Sequence, residues 1–288
     1  MISITYKIGG KNMKNIVCII ARTNSKRLPH KTVLDIGGKK TIEHIIDSMK
    51  ELKYADKVYL CTSIDEEDKI LLEIARENGI EAYAGSRDSV IDRMLDVAEM
   101  ENADNLLRVT GDNIFTDSIM LDFALKEHME KGADYTRVEM LPIGVTGEVM
   151  KVSAVKDCYS KIDPDKSEYL AVYMFNPDDY KCLTVLPPEK FILPYQTLTV
   201  DTPQDWERTQ FIFDHISEKK IYFGDIVTLS EKTDIPHYDM EKDGLVKLPN
   251  DESITYGEFR EMYESRIKKS IQLTMEEGYY DSERNKRR

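Results

Sequence analysis

The stretch Ile16-Val-Cys-Ile-Ile-Ala-Arg-Thr-Asn-Ser-Lys-Arg-Leu-Pro-His-Lys31 decides the fold. Its opening residues, Ile16 to Ile20, are apolar, rich in β-branched side chains and too few for a helix, which predicts a strand buried on both faces. The polar remainder carries Arg22, Lys26, Arg27 and Lys31. A basic loop at the carboxyl end of a buried strand lies where open α/β sheets hold ligands, and backbone N–H groups with Arg and Lys suit a polyphosphate. Pro29 removes a donor and stiffens the loop. A solvated basic loop is the competing reading.

Downstream, strands and helices alternate. Thr41 to Leu52 places Ile42, Ile45, Ile46 and Met49 at helical spacing. Lys57 to Cys61 reads as a strand, and Asp65 to Glu77 as a helix with Ile70, Leu71 and Ile74 inward, stopped by Asn78-Gly79. A short strand at Glu81 to Tyr83, a helix at Ser89 to Met100 and a strand at Asn105 to Val109 follow. This order predicts a mostly parallel, Rossmann-like α/β sheet flanked by helices.

Two carboxylates follow expected strand ends. Thr110-Gly111-Asp112-Asn113 comes directly after Leu106 to Val109, so Asp112 would face the same crevice as the basic loop, and Gly111 would let the backbone turn close to a ligand. The same residues are also ordinary turn chemistry. In Leu198-Thr-Val-Asp201-Thr-Pro203-Gln-Asp205 a strand is expected to end at Asp201, with Thr202 as cap, Pro203 in the first turn and Asp205 as a charge at the helix start. Asp201 is therefore the better metal carboxylate, opposite Asp112.

These motifs resemble those of the CMP-sugar synthetases, cytidylyltransferases that activate acidic sugars. The resemblance rests on Ala21-Arg22-x-x-Ser25-x-Arg27-Leu28-Pro29-x-Lys31, Ile36-Gly-Gly-Lys39, Ile42-Glu-His44, Arg108-Val-Thr-Gly-Asp112-Asn113 and Thr199-Val-Asp201-Thr-Pro203-Gln-Asp205, and spans roughly residues 14 to 218. The branch it resembles most is the one named for spore coat polysaccharide biosynthesis protein F. The resemblance implies a GT-A-like nucleotidyltransferase fold, CTP as donor, a small anionic acceptor, pyrophosphate release and a homodimer. It implies that Ala21, Arg22, Ser25, Arg27 and Lys31 meet the nucleotide, with Arg22, Arg27 and Lys31 on its phosphates. Asp112 and Asp201 would hold Mg2+, with Mn2+ as an alternative. Ser63 is a candidate for the nucleoside or for a helix cap, and Arg93 and Arg108 for nearby cations. Where the branch has Arg-Glu-His, this chain reads Ser167-Glu168-Tyr169. That leaves the acceptor open between an acidic sugar and a phosphonate or polyol phosphate.

Composition fits an enzyme that works in the cytosol. The 288 residues are 41% hydrophobic, enough for a substantial core, and no run reaches the length of a membrane span or forms a signal peptide. A formal net charge of −13 repels nucleic acid backbones. Cys18, Cys61, Cys158 and Cys182 lack metal-ligand spacing and read as buried reduced thiols. Val33 stands where a Walker A loop needs Gly, and no Gly-x-Gly-x-x-Gly follows the first strand, which excludes a P-loop NTPase and a dinucleotide-binding dehydrogenase. Asp163-Pro-Asp165, the form used by metal-dependent glycosyltransferases, sits in a polar stretch and reads as a loop.

Three regions are expected: a flexible leader at residues 1–13, with Met13 a second candidate start, a cytidylyltransferase domain at 14–222, and an extension at 223–288. In the extension, 223–254 reads as an acidic linker. Thr255-x-x-Glu258 then caps an amphipathic helix carrying Phe259, Met262, Tyr263, Ile267 and Ile271, and the Arg284 to Arg288 tail reads as disordered.

Overall fold

The computed structural model describes residues 7–8, 11–238, 241–248 and 252–288. Of the leader, residues 1–6 and 9–10 lie outside the described residues, and Lys7–Ile8 pairs antiparallel with Lys11–Asn12. The main sheet is built from β1 (Asn15–Ile20), β2 (Lys57–Ser63), β3 (Glu81–Gly85), β4 (Asn105–Thr110), β5 (Tyr135–Val138), β6 (Glu148–Lys151), β7 (Cys182–Leu186) and β8 (Ile271–Thr274). Their order is β8-β7-β5-β6-β4-β1-β2-β3. Only β6 is antiparallel to its neighbours, β4 and β5. The other pairings are parallel, as the β-α alternation predicted.

Strand β1 is buried along its whole length because it is central and covered on both faces. Ile19 and Val17 pack toward α1 (Thr41–Met49), which turns Ile42, Ile45, Ile46 and Met49 to the core. Cys18 and Ile16 pack toward α3 (Val90–Glu101), capped by the Ser89 hydroxyl. Between them, α2 (Lys69–Glu77) buries Leu71, Ile74 and Ala75, and the chain reverses at Gly79 with φ +67°. Ile70, expected inward, is exposed: a three-residue 3-10 turn, Glu66–Asp68, precedes α2 and sets its inward face elsewhere. The remaining helices are α4 (Ser118–Lys131), α5 (Val152–Tyr159), α6 (Leu170–Met174), α7 (Pro203–His215), α8 (Phe223–Ser230), α9 (Tyr256–Lys269) and α10 (Tyr279–Arg287). Among the described residues no helix is long and apolar enough to cross a membrane. All four cysteines are free and buried.

The C-terminal segment corrects three expectations. Residues 223–230, read as linker, form α8, which buries Phe223, Ile226, Val227 and Leu229 and is tied to the core by Phe223 N–H donating to the Asp117 carboxylate at 2.9 Å. The acidic stretch after it hid this short apolar helix. The Arg284 to Arg288 tail, read as disordered, lies mostly in α10, because its cations find buried carboxylates. Arg284 and Arg288 pair with Asp225, and Arg287 pairs with Asp122 at 2.6 Å. Between α9 and α10 the chain adds β8 beside β7, so the segment completes the sheet edge. The capping box of Thr255 and Glu258 is present, and Phe259, Met262, Tyr263 and Ile267 pack on the core; Ile271 falls in β8 instead.

Asp122 is almost fully buried and also accepts from Lys53 N–H at 2.9 Å. Burial pushes its carboxyl above the usual range, while the Lys53 amide and the Arg287 charge oppose that. Arg287→Ala strands a buried carboxylate, so unfolding free energy by urea titration should fall by about 3 kcal/mol at neutral pH. Arg287→Ala, Asp122→Asn together should lose less than the single variant, because no unpaired charge is left behind.

Candidate active site

The basic loop is pinned at both ends. At its start Ala21 N–H donates to the Cys61 carbonyl at 3.2 Å, continuing the β1–β2 ladder. Thr23 then gives both its N–H and its hydroxyl to the Asp68 carboxylate, each at 2.7 Å, and Ser63 donates to the same carboxylate at 2.6 Å. Burial works to raise the Asp68 pKa, yet these hydrogen bonds hold it below the usual carboxylate range. At the other end His30 adopts a left-handed φ of 57°, and Lys31–Val33 forms a single 3-10 turn. The Lys31 carbonyl accepts from the Thr41 hydroxyl at the start of α1, at 2.6 Å.

This framing aims Lys31 at two carboxylates. Its ammonium donates to Asp112 Oδ2 at 2.8 Å and to Asp201 Oδ1 at 2.9 Å. The other Asp201 oxygen pairs with Arg27, and the other Asp112 oxygen accepts from the Thr110 hydroxyl at 2.6 Å. The Lys31 side chain is only 13% exposed, so it is a bridging group and not a free loop cation. Burial lowers the Lys31 pKa, but the two carboxylates outweigh it and raise the net value. Burial likewise raises Asp112, and Lys31 and Thr110 outweigh it to a net lowering.

Backbone contacts bring the two carboxylates together. Asp112 follows β4, and its own carbonyl accepts from Val200 N–H at 2.8 Å, which sets Asp201 beside it. The segment carrying Asp201 is extended but joins no strand of the sheet, contrary to the expected strand end: its amides pair with loop carbonyls, Leu198 N–H with Ile143 at 2.7 Å. That passage requires Gly144, with φ +100°, since a Cβ there would stand 2.9 Å from Thr199 N. Gly111 serves the same kind of close approach. A Cβ on it would meet the Ala21 Cβ at 2.6 Å, so its smallness lets the β1 and β4 ends converge.

Asp205 is held as the helix grammar predicted. Its carboxylate accepts from Asp201 N–H, Thr202 N–H and the Thr202 hydroxyl, and pairs with buried Arg208 at 2.9 Å. Oδ2 takes all three hydrogen bonds and Oδ1 faces Arg208, so the carboxylate is committed to the start of its own helix.

Other candidates fall outside the Lys31 cluster. Arg22 donates to the Arg87 carbonyl at 3.0 Å on the loop's rim. Ser25 is half-buried within the loop. Ser63 is buried, with its hydroxyl donating to Asp68 and accepting from Asp65 N–H at 3.1 Å, and it caps neither the 3-10 turn nor α2, contrary to the expected helix cap. Arg93 is buried beneath the loop against the Cys61 carbonyl. Arg108 is paired with Glu148 at 2.7 Å and also donates to the Glu168 carbonyl. Glu148 further accepts from Tyr135 at 2.8 Å. Asp163 caps a 3-10 turn through the Asp165 amide, which fits the loop reading. Sequence reasoning missed Asp68, Arg87 and the Glu148 partnership. Only the cross-strand register, Glu148 opposite both Arg108 and Arg137, brings the last one out.

Among the described residues no group of three or more His, Cys, Asp or Glu side chains could hold a metal ion by itself. Asp112 and Asp201 nevertheless supply two hard oxygen donors at one point, the set that magnesium takes when substrate phosphates complete its shell.

Comparison with known proteins gives the family and the fold. A family profile described as Cytidylyltransferase matches residues 16–180, more than half of the chain. Spore coat polysaccharide biosynthesis protein SpsF of Bacillus subtilis (strain 168) is 29% identical over 226 residues, covering 75% of this chain and 94% of that protein. A 3-deoxy-manno-octulosonate cytidylyltransferase of Chloroherpeton thalassium is 27% identical over 199 residues, 61% of this chain and 79% of its own length. Among solved structures, a cytidylyltransferase from Leptospira borgpetersenii superposes with a TM-score of 0.72 at 24% identity, covering 80% of this chain and 99% of that one, and so shares the fold. The sheet order, the motif spacing and the family match together make this chain a nucleotidyltransferase of the cytidylyltransferase family.

Proposed function

We propose that this enzyme transfers CMP from CTP to an anionic acceptor of the sugar-acid class and releases pyrophosphate. The observation that carries the reading is the Lys31 ammonium joined to Asp112 and Asp201, with Arg27 on the same carboxylate pair, at the carboxyl ends of β1 and β4. The sugar-acid class is supported by the similarity to 3-deoxy-manno-octulosonate cytidylyltransferases. An acceptor oxygen would attack the α-phosphorus in line while the bond to the β-phosphate oxygen breaks and pyrophosphate leaves with the electron pair. Catalysis of that kind is positioning and charge neutralisation. Lys31, Arg27 and Arg22 would neutralise the phosphates, and no protein nucleophile is needed. Asp112 and Asp201 would hold magnesium or manganese, which when bound screens phosphate charge. In the free chain Lys31 keeps the two carboxylates together; with nucleotide present it turns to the phosphates.

Pyrophosphate release with a panel of sugar acids, phosphonates and polyol phosphates tests the reading. Turnover should require magnesium or manganese, and CTP should exceed UTP, ATP and GTP. Equal use of UTP would defeat the cytidylyl assignment, and a phosphonate or polyol phosphate as the preferred acceptor would defeat the sugar-acid class.

The carboxylates separate by role. Asp112→Asn and Asp201→Asn should each lower turnover by on the order of 100-fold, the effect of losing one dominant electrostatic group. Asp205→Asn should instead lower the melting temperature, by weakening the Arg208 pair and the cap, and leave turnover per folded enzyme near wild type. A dead Asp205→Asn beside an active Asp201→Asn would move the metal to the other carboxylate.

Lys31→Ala should lower turnover and also destabilise the free protein. In the wild type the folded Asp112 pKa lies below its unfolded value, so its contribution is present above the ordinary carboxylate pKa and is lost as pH falls through the folded value. Without Lys31, burial dominates and raises the folded value, so the charge penalises folding at neutral pH and protonation relieves it. The difference in unfolding free energy between wild type and variant should be roughly 1–3 kcal/mol at pH 7.5 and shrink toward pH 4. A difference that is constant across that range would show that Asp112 does not depend on Lys31.

A further inference from the structure

Arg93 extends from α3 to the point where β1 enters the basic loop, and its charge is left bare. The residue is 1% exposed. Its single hydrogen bond runs from Nη1 to the Cys61 carbonyl at 3.5 Å, the outer limit for such a bond, and that carbonyl already accepts from Ala21 N–H. Its Nε has no partner, and among the described residues no carboxylate lies within ion-pair reach. The other deeply buried arginines differ in kind. Arg208 pairs with Asp205, Arg108 with Glu148 and Arg287 with Asp122.

The surroundings make the isolation sharper. Burial lowers the Arg93 pKa; Cys61 and Asp68 act to raise it, while the charges of Arg22 and Arg108 lower it further. Arg93 therefore sits at the head of the central strands with Arg22 and Arg108 nearby and no carboxylate, Asp68 included, close enough to pair with it. The packing holds it there, since a Cβ on Gly85 would come within 3.1 Å of its Cγ. A buried charge without a partner destabilises the free chain, and an apolar side chain of similar size would fill the space without that penalty. The arrangement makes physical sense when the missing anion arrives with a ligand.

We propose that Arg93 is a ligand-pairing residue, donating to an oxyanion of the bound nucleotide from beneath the Ala21–Arg22 turn. This rests on the nucleotide reading above. Arg22, whose guanidinium rests on the Arg87 carbonyl in the free chain, covers this corner of the loop. When Arg22 turns to a phosphate, the same oxyanion meets both arginines. The ligand thus supplies the negative charge that the fold withholds, and part of the nucleotide's binding energy comes from relieving a buried, unpaired cation.

Calorimetric titration of the full chain with CTP and magnesium chloride, alongside melting curves without ligand, tests this. Arg93→Met should melt at or above the wild-type temperature when free, and its Kd for CTP should rise by about 10- to 100-fold, the loss of one or two charge-assisted hydrogen bonds. Arg93→Lys, which keeps the charge but not the fork, should show a smaller rise. If Arg93→Met melts lower than wild type and binds CTP unchanged, Arg93 is a packing residue and the proposal is overturned. If Arg93→Met fails to fold, Arg93→Lys decides: an unchanged Kd overturns the proposal, and a raised Kd with an unchanged melting temperature supports it. Wild-type protein that binds no CTP would instead bring down the nucleotide reading itself, a failure visible before any variant is made.

Discussion

One ammonium group determines how the crevice is assembled. Lys31 reaches Asp112 and Asp201, which lie 81 and 170 residues further along the chain, and without it two partly buried carboxylates would face each other at close range. Like charges so placed repel, and the ammonium between them offsets that repulsion. The local features around the site serve that meeting. The 3-10 turn and Thr41 fix the lysine, Gly111 lets β1 and β4 converge, and Gly144 admits the segment that carries Asp201. Lys31 is therefore held in place by contacts spread over three distant parts of the sequence before any ligand binds.

Two aspartates four residues apart, Asp201 and Asp205, show how helix formation and chemistry divide the same short motif. Thr202, Pro203 and Asp205 start α7, and the Asp205 carboxylate is consumed by backbone amides, the Thr202 hydroxyl and Arg208. Because Asp205 also accepts from the Asp201 amide, the cap positions the residue that precedes it. The helix start thus holds the outer carboxylate in place, while Asp201 keeps its own oxygens for cations. Helix capping here is part of how the site is built.

The first half of the sheet, β1 to β4, was legible because these strands are short apolar runs bounded by polar turns, whereas β5 to β8 lie in stretches without that pattern and went unread. Asp112 follows its strand as expected, but Asp201 comes from an extended segment outside the sheet, and the family resemblance as much as position singled out both. What stayed hidden depends on contacts between distant residues. Ser63 offers a hydroxyl at a strand end, but Asp68 takes it, and nothing local in Ser63-Ile-Asp-Glu-Glu-Asp68 distinguishes that carboxylate from its acidic neighbours. The segment after Tyr222 misled for the converse reason. Its acidic composition resembles a linker, whereas α8 needs only Phe223, Ile226, Val227 and Leu229 to bury itself.

Cations mislead most, since an arginine in a sequence carries no label for its partner. Arg284, Arg287 and Arg288 look like a solvated tail, yet they end on Asp225 and Asp122 and close the C-terminal helix onto the core. Arg108 looks like a substrate cation, yet Glu148 neutralises it across the β4–β6 ladder. Arg93 was a candidate of the same kind as Arg108, and it alone of these is buried without an anion. Burial by itself says little about an arginine's role; burial with or without compensation separates a structural pair from a charge held in wait. In this fold the compensated arginines tie neighbouring elements together, and the uncompensated one stands at the head of the central strand, where the basic loop begins.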